Sequence, residues 1–119
     1  MSEGAGLDLV DEWLTLPDIA EGTGLGISKV RRLLEERAFV GVKTGSPKVL
    51  RVPAAFIVDD RPVRHLKGTI HVLEDAGFTD EEAIVWLFTP DDTLPGRPID
   101  MLRADNKGEV RRRAQALAF

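Results

Sequence analysis

Ser28, Lys29, Arg31 and Arg32 lie close together in the stretch ISKVRRLLEERA that begins at Ile27. Three of these side chains are permanently cationic at neutral pH, and the fourth carries a hydroxyl. Such a set suits a polyanion. An Arg fork bonds a guanine edge bidentately, at about 1–3 kcal/mol of discrimination, while Lys and Ser fix phosphate oxygens. A second group of cations follows closely: Lys43, Lys48 and Arg51, distributed along FVGVKTGSPKVLRVP. Chemistry of other kinds finds little support. There is no cysteine, so thiolate metal sites, disulfides and cysteine nucleophiles are excluded. His65 and His71 lack arranged carboxylates. Adjacent acids at Asp59–Asp60 and Asp91–Asp92 read as turn formers, because neighbouring carboxylates on a loop do not face a common substrate. GTGLG follows a helical pattern and lacks the Lys-Ser/Thr ending of a phosphate loop. With no nucleophile beside a base, catalysis is not expected, nor is any cofactor.

The elements that must hold these cations are legible from periodicity. TLPDIAEGTG predicts a first helix. Thr15 is its candidate N-cap, Pro17 stands at its opening and Gly22 and Gly24 at its end. Residues 27–37 predict a second helix, with Ile27, Val30, Leu33 and Leu34 on one face and Ser28, Lys29, Arg31 and Arg32 on the other. Ala20, a small residue, precedes Gly24 by four positions, and Val30 follows six later. This is the spacing by which two helices cross closely around a turn. Residues 39–43 and 48–52 then change to β-rich runs around TGSP, a hairpin turn. A helix-turn-helix followed by a basic hairpin is the layout of a winged helix. The plainer alternative is that Arg31–Glu35 and Arg32–Glu36 are surface pairs worth about 0.2–0.5 kcal/mol each.

Beyond the hairpin, PAAFIVDD reads as a helical turn restarting at Pro53. HLKGTIHVLEDAG predicts a helix ending on Gly77, and Thr79 with Glu82 forms a capping box for TDEEAIVWLF. PIDMLR and KGEVRRRAQALAF predict two more helices. The expected fold is mainly α (α+β): a winged helix-turn-helix with a short β-hairpin wing and a C-terminal helical extension. The expected organisation is a disordered N-terminus over 1–8, a winged helix over 9–60 and a helical domain over 61–119 packed on it.

Charge is segregated along the chain. The 119 residues carry a net charge of −4, yet residues 27–67 hold ten bases against four acids, while residues 1–26 hold six acids and no Lys or Arg. Screening confines surface charges to about 10 Å at ordinary salt, so an acidic chain can still present a basic face. No long apolar run or basic leader is present in the sequence, and the expected location is the cytoplasm, with no membrane partner.

LTLPDIAEGTGLGISKVRRLLEERAFVGVK resembles the winged helix-turn-helix of the MerR and excisionase type. With the remainder, above all WLFTPDDTL, RPIDML and EVRRRAQALAF, the chain is similar to a small actinobacterial family of winged-helix DNA-binding proteins. That resemblance implies binding of double-stranded DNA and transcription regulation, without a cofactor. It places Ser28, Lys29, Arg31, Arg32, Lys43, Lys48 and Arg51 where such proteins touch DNA. Gly22 and Thr23 replace bulkier residues, which implies a shorter, looser first helix. WLFTPDDTLPGRPIDMLRADNKGEV also resembles the C-terminal domain of Xre/MbcA/ParS antitoxins, which implies a protein partner or self-association through residues 79–119. The alternative is that this segment caps the winged helix, burying Trp86, Leu87, Phe88, Leu94, Ile99, Leu102 and Leu117. Arg111, Arg112 and Arg113 are either solvated or additional phosphate contacts.

Overall fold

The computed structural model describes residues 6–117. The chain opens on a 3-10 turn, Leu7–Leu9, and a short strand β1 (Trp13–Thr15). The helix-turn-helix follows as α1 (Leu16–Thr23) and α2 (Ile27–Glu35), then the wing as β2 (Val42–Thr44) and β3 (Val49–Pro53). A 3-10 turn at Ala54–Phe56 leads to a second hairpin, β4 (Ile57–Val58) and β5 (Arg61–Pro62). Four helices complete the chain: α3 (Leu66–Asp75), α4 (Asp80–Phe88), α5 (Pro98–Arg103) and α6 (Gly108–Ala116).

Local chemistry explains the helix starts. Thr15 Oγ1 accepts the Asp18 N–H at 3.2 Å, and Asp18 accepts the Thr15 N–H at 3.0 Å, closing a capping box over α1. Thr79 and Glu82 do the same for α4, at 3.1 and 2.9 Å. Gly24 ends α1 with φ at 76°, a left-handed cap that glycine adopts without strain. The Gly22–Thr23 pair does not loosen α1. Thr23 Oγ1 donates to the Ile19 carbonyl at 2.7 Å and accepts the Leu25 N–H at 3.2 Å, tying the helix end to the turn.

The sheet is antiparallel with order β1-β3-β2, so β3 is central. The strand β1 is absent from the sequence reading, because three residues between an acidic lead-in and a helix cap give no period to detect. The helical restart at Pro53 is a single 3-10 turn, and a hairpin follows it. Asp59 and Asp60 form the tip of that hairpin, with φ of 51° and 63°. Two successive left-handed residues make the tight turn whose twist suits paired strands, and Asp tolerates that region.

The core is one continuous cluster. Val30, Phe39, Val40, Val52 and Phe56 from the winged helix join Leu66, Ile70, Leu73, Ile84, Leu87, Phe88, Ile99, Leu102, Val110 and Ala114. The Phe56 and Phe88 rings meet at 5.7 Å between centroids, tilted by 42°. Among the described residues Thr69 is the buried polar one, and it is satisfied: its hydroxyl donates to the His65 carbonyl at 3.0 Å and accepts from Arg111 Nε at 3.0 Å. Two expectations need correction. Of the segment expected to be disordered, residues 1–5 lie outside the described residues, but Leu7 is buried and packs with α4. Leu117 is 40% exposed, whereas Leu87, Phe88, Leu94, Ile99 and Leu102 are buried and Trp86 is half-buried.

Arg97 and Asp100 link the α4–α5 loop to the start of α5. The Arg97 guanidinium donates to both Asp100 carboxylate oxygens at 2.9 Å and lies over the Phe88 ring, 5.2 Å from its centroid. Hydrogen bonding from Arg97 holds the Asp100 carboxyl below its ordinary value. A lowered folded-state value stabilises the fold above the unfolded carboxylate's 3.8, and that contribution is lost as the pH falls through the folded value. Chemical denaturation of Asp100→Asn should therefore fall less steeply with acidification below pH 5 than the parent's. Gly41 gives a second test, since a Cβ there would lie 2.5 Å from the Arg51 carbonyl oxygen. Gly41→Ala should cost roughly 1–3 kcal/mol by denaturant unfolding, because backbone has to move.

Candidate nucleic-acid interface

The exposed face of α2 is built by its buried one. Val30 is fully buried, Leu33 and Leu34 are half-buried against the core, and Ile27 is half-buried. That seats the helix so that Ser28, Lys29, Arg31 and Arg32 all stand exposed. Among the described residues no ion pair or side-chain hydrogen bond engages Lys29, Arg31 or Arg32, and the plain surface pairs Arg31–Glu35 and Arg32–Glu36 are not made. The cations of α2 are thus presented outward and uncommitted. A helix offering them along one face has the shape and charge to enter a groove of a duplex.

The wing does not present its cations as one set. Its register pairs Lys43 with Leu50 and Val42 with Arg51. Directly opposed residues share a face and neighbours along a strand alternate, so Lys43 and Arg51 leave opposite faces of the hairpin. Arg51 is also committed within the wing. Its Nε donates to the Thr44 carbonyl at 2.9 Å and a terminal nitrogen donates to the Pro47 carbonyl at 3.2 Å, so the guanidinium fills the turn from inside. It stands close enough to Asp18 to help lower that carboxyl, after the larger effects of the two Thr15 hydrogen bonds. Two of its five N–H donors thus serve backbone carbonyls, which gives Arg51 a structural role in the wing beside the phosphate role expected of it. Lys43 and Lys48 line a cleft of about 630 Å³ together with Leu7, Thr79, Asp80 and Glu81. These wing lysines face the acidic first turn of α4.

Several other basic side chains hold the fold together. Arg103 donates to the carbonyls of Ala55 at 2.7 Å and Ile57 at 3.1 Å, fastening α5 to the second hairpin. Arg111 clasps α3 through Thr69 and the His65 carbonyl. Arg113 bonds Thr93 and Glu109, and Arg112 pairs with Glu109. Of the closing arginines, read as solvated or phosphate-binding, Arg111 and Arg113 are half-buried against protein groups, while Arg112 is exposed beside Glu109. His65, with φ at 69°, sits 3.1 Å from Asp105 through Nε2.

Arg37 escaped the sequence reading. It stands immediately after α2 with φ at 65°, and its guanidinium reaches Asp80 and Glu74. The available signal was a helix ending on EER with no glycine to close it. An L-residue in that place needs a reason to stay.

Comparison with known proteins gives this geometry its relatives. Residues 5–57 match the family described as "DNA-binding protein Rv2175c, wHTH domain", and residues 63–118 match "Rv2175c C-terminal domain of unknown function". The DNA-binding protein Rv2175c of Mycobacterium tuberculosis (strain ATCC 25618 / H37Rv) is 36% identical over 126 aligned residues, covering 95% of this chain and 85% of that protein. The NMR structure of Rv2175c superposes with a TM-score of 0.80 at 35% identity, covering 91% of this chain and 82% of the other. The arrangement of winged helix and C-terminal helices is thus a shared one, and the chain belongs to the actinobacterial Rv2175c family of winged helix-turn-helix proteins.

Proposed function

We propose that this chain binds double-stranded DNA with α2 as the recognition helix and that it acts as a transcriptional regulator. The carrying observation is the exposed set Lys29, Arg31 and Arg32, unpaired among the described residues, on the outward face of the second helix of a helix-turn-helix. The naming of its Mycobacterium tuberculosis relative as a DNA-binding protein supports the same reading. Arg31 and Arg32 take the base edges; Ser28 and Lys29 take phosphates, joined by Lys43 and Lys48 from the wing. Arg51 contributes by shaping the wing tip.

A second reading, contact with a protein partner or self-association through residues 79–119, rests on an apolar cleft of about 480 Å³ lined by Phe78, Val85 and Trp86. Salt separates the two. Contact with about six phosphates loses roughly 10³-fold in affinity between 50 and 200 mM salt, whereas burial of apolar surface is nearly indifferent to it.

The direct test is an NMR titration of the full chain with random-sequence duplex DNA. The shifted amides should lie in α2. Arg31→Ala and Arg32→Ala should each cost roughly 1–3 kcal/mol on a preferred site, and Lys43→Ala should weaken all sequences alike. Unchanged gel shifts for the double arginine variant would remove α2 from the interface. For Arg51, replacement by Lys keeps the charge but not the fork that serves two carbonyls. Arg51→Lys should loosen residues 44–47 in backbone relaxation as much as Arg51→Ala does; full retention of wing order in the Lys variant would return Arg51 to a charge-only role.

A further inference from the structure

The C-terminal segment of this family is described only as a domain of unknown function. Beside the shared apolar core, the residue just after the recognition helix, Arg37, ties it to that segment through ion pairs. After α2 the backbone closes in a double turn: the Arg37 N–H bonds the Leu34 carbonyl at 3.0 Å and the Ala38 N–H bonds the Leu33 carbonyl at 2.9 Å. This is the Schellman arrangement, whose left-handed position usually belongs to glycine because a Cβ is strained there. Arg37 occupies it at φ 65°.

The side chain explains the choice. Its terminal nitrogens donate to the two Asp80 oxygens at 3.2 and 2.6 Å and to Glu74 at 3.3 Å. Asp80 opens α4 and Glu74 lies in the last turn of α3, so one guanidinium grips both helices of that pair. Asp80 also stands at a helix N-terminus, where a carboxylate is favoured. Its hydrogen bonds to Asp80 hold the Arg37 guanidinium more firmly protonated than usual. Its Nε–H is buried without an acceptor among the described residues, a cost tolerated for the grip of the terminal nitrogens.

We propose that Arg37, with Asp80 and Glu74, is a positioning clamp through which the C-terminal helices set the pose of the recognition helix on DNA. The proposal rests on the DNA-binding reading above. The leverage is geometric. A helix of nine residues is about 13 Å long, so a 10° tilt pivoting at its C-terminal end moves its first turn by roughly 2 Å. A bidentate base contact is lost over a smaller distance than that.

The sign of the charge change makes the test decisive. The full chain carrying Glu74→Gln with Asp80→Ala loses two negative charges while Arg37 keeps its own. Bulk electrostatics then demands tighter binding to a polyanion; a positioning clamp demands weaker binding. Affinity is measured for a random-sequence duplex at 50 mM salt and 10 °C, beside thermal melting and the amide spectrum of the free protein. The expected result is a loss of about 5-fold or more, with the α2 amides displaced before any DNA is added. Arg37→Gly serves as the second variant, since glycine accepts the left-handed backbone and keeps the turn. It should reproduce the α2 displacement, and combining it with the carboxylate changes should weaken binding no further. Equal or tighter binding by the carboxylate variant, or a lowered melting temperature with affinity and α2 amides unchanged, would overturn the clamp. Should the parent chain itself fail to bind duplex DNA, the DNA-binding reading fails, and the α2 amides alone decide whether Arg37 fixes the helix.

Discussion

The winged helix in this chain cannot keep its underside dry alone, and that constraint organises the rest. A unit of about fifty residues buries only some 60% of its unfolded surface, which leaves it marginal. Here the apolar faces of α2 and the sheet, through Val30, Val52, Phe39 and Phe56, open onto the layer supplied by Leu66, Ile70, Leu73, Leu87 and Phe88. The C-terminal helices are therefore the other half of the core. Because Val30, Leu33 and Leu34 belong to that core, the burial that stabilises the molecule also determines which side chains of α2 stay outside.

Electrostatics then divides the basic residues by whether a protein acceptor lies within reach. Arg51, Arg97, Arg103 and Arg111 end on carbonyls, hydroxyls or carboxylates of neighbouring elements, where a planar fork with several donors satisfies two acceptors at once. Lys29, Arg31 and Arg32 project from a convex helix face with no such partner among the described residues. Net charge says nothing of this division. An acidic chain can carry a nucleic-acid surface when its bases are distributed between internal ties and one outward face, and when its acids cap helices elsewhere, as Asp18 and Glu82 do.

The readable parts of the sequence were those encoded locally. Thr15 with Asp18 and Thr79 with Glu82 announce helix starts within four residues; Val30 against Arg31 and Arg32 announces the two faces of α2. Strand β1 and the hairpin at Asp59–Asp60 were unreadable, since strands of two or three residues hold no period and take their meaning from partners distant in sequence. The wing was legible as a hairpin, but the roles of its cations were not. Whether Lys43 and Arg51 share a face depends on register, which TGSP alone does not fix. Arg37 was hidden for a similar reason: its partners lie 37 and 43 residues away.

The wing lysines show why counting bases misjudges a surface. Lys43 and Lys48 look additive with Arg31 and Arg32 in the sequence, yet they open onto a cleft shared with Asp80 and Glu81. Opposite charges at that range reduce each other's field at the surface, so the potential the wing projects is weaker than its lysines suggest. Among the described residues no ion pair is set against the cations of α2 in this way. On the proposed DNA-binding reading, sequence preference is thereby concentrated on a single helix, and a single helix discriminates only if its tilt is held. The orientation of α2 on the core becomes as consequential as the identity of its arginines, and that orientation is fixed by residues remote from the exposed face.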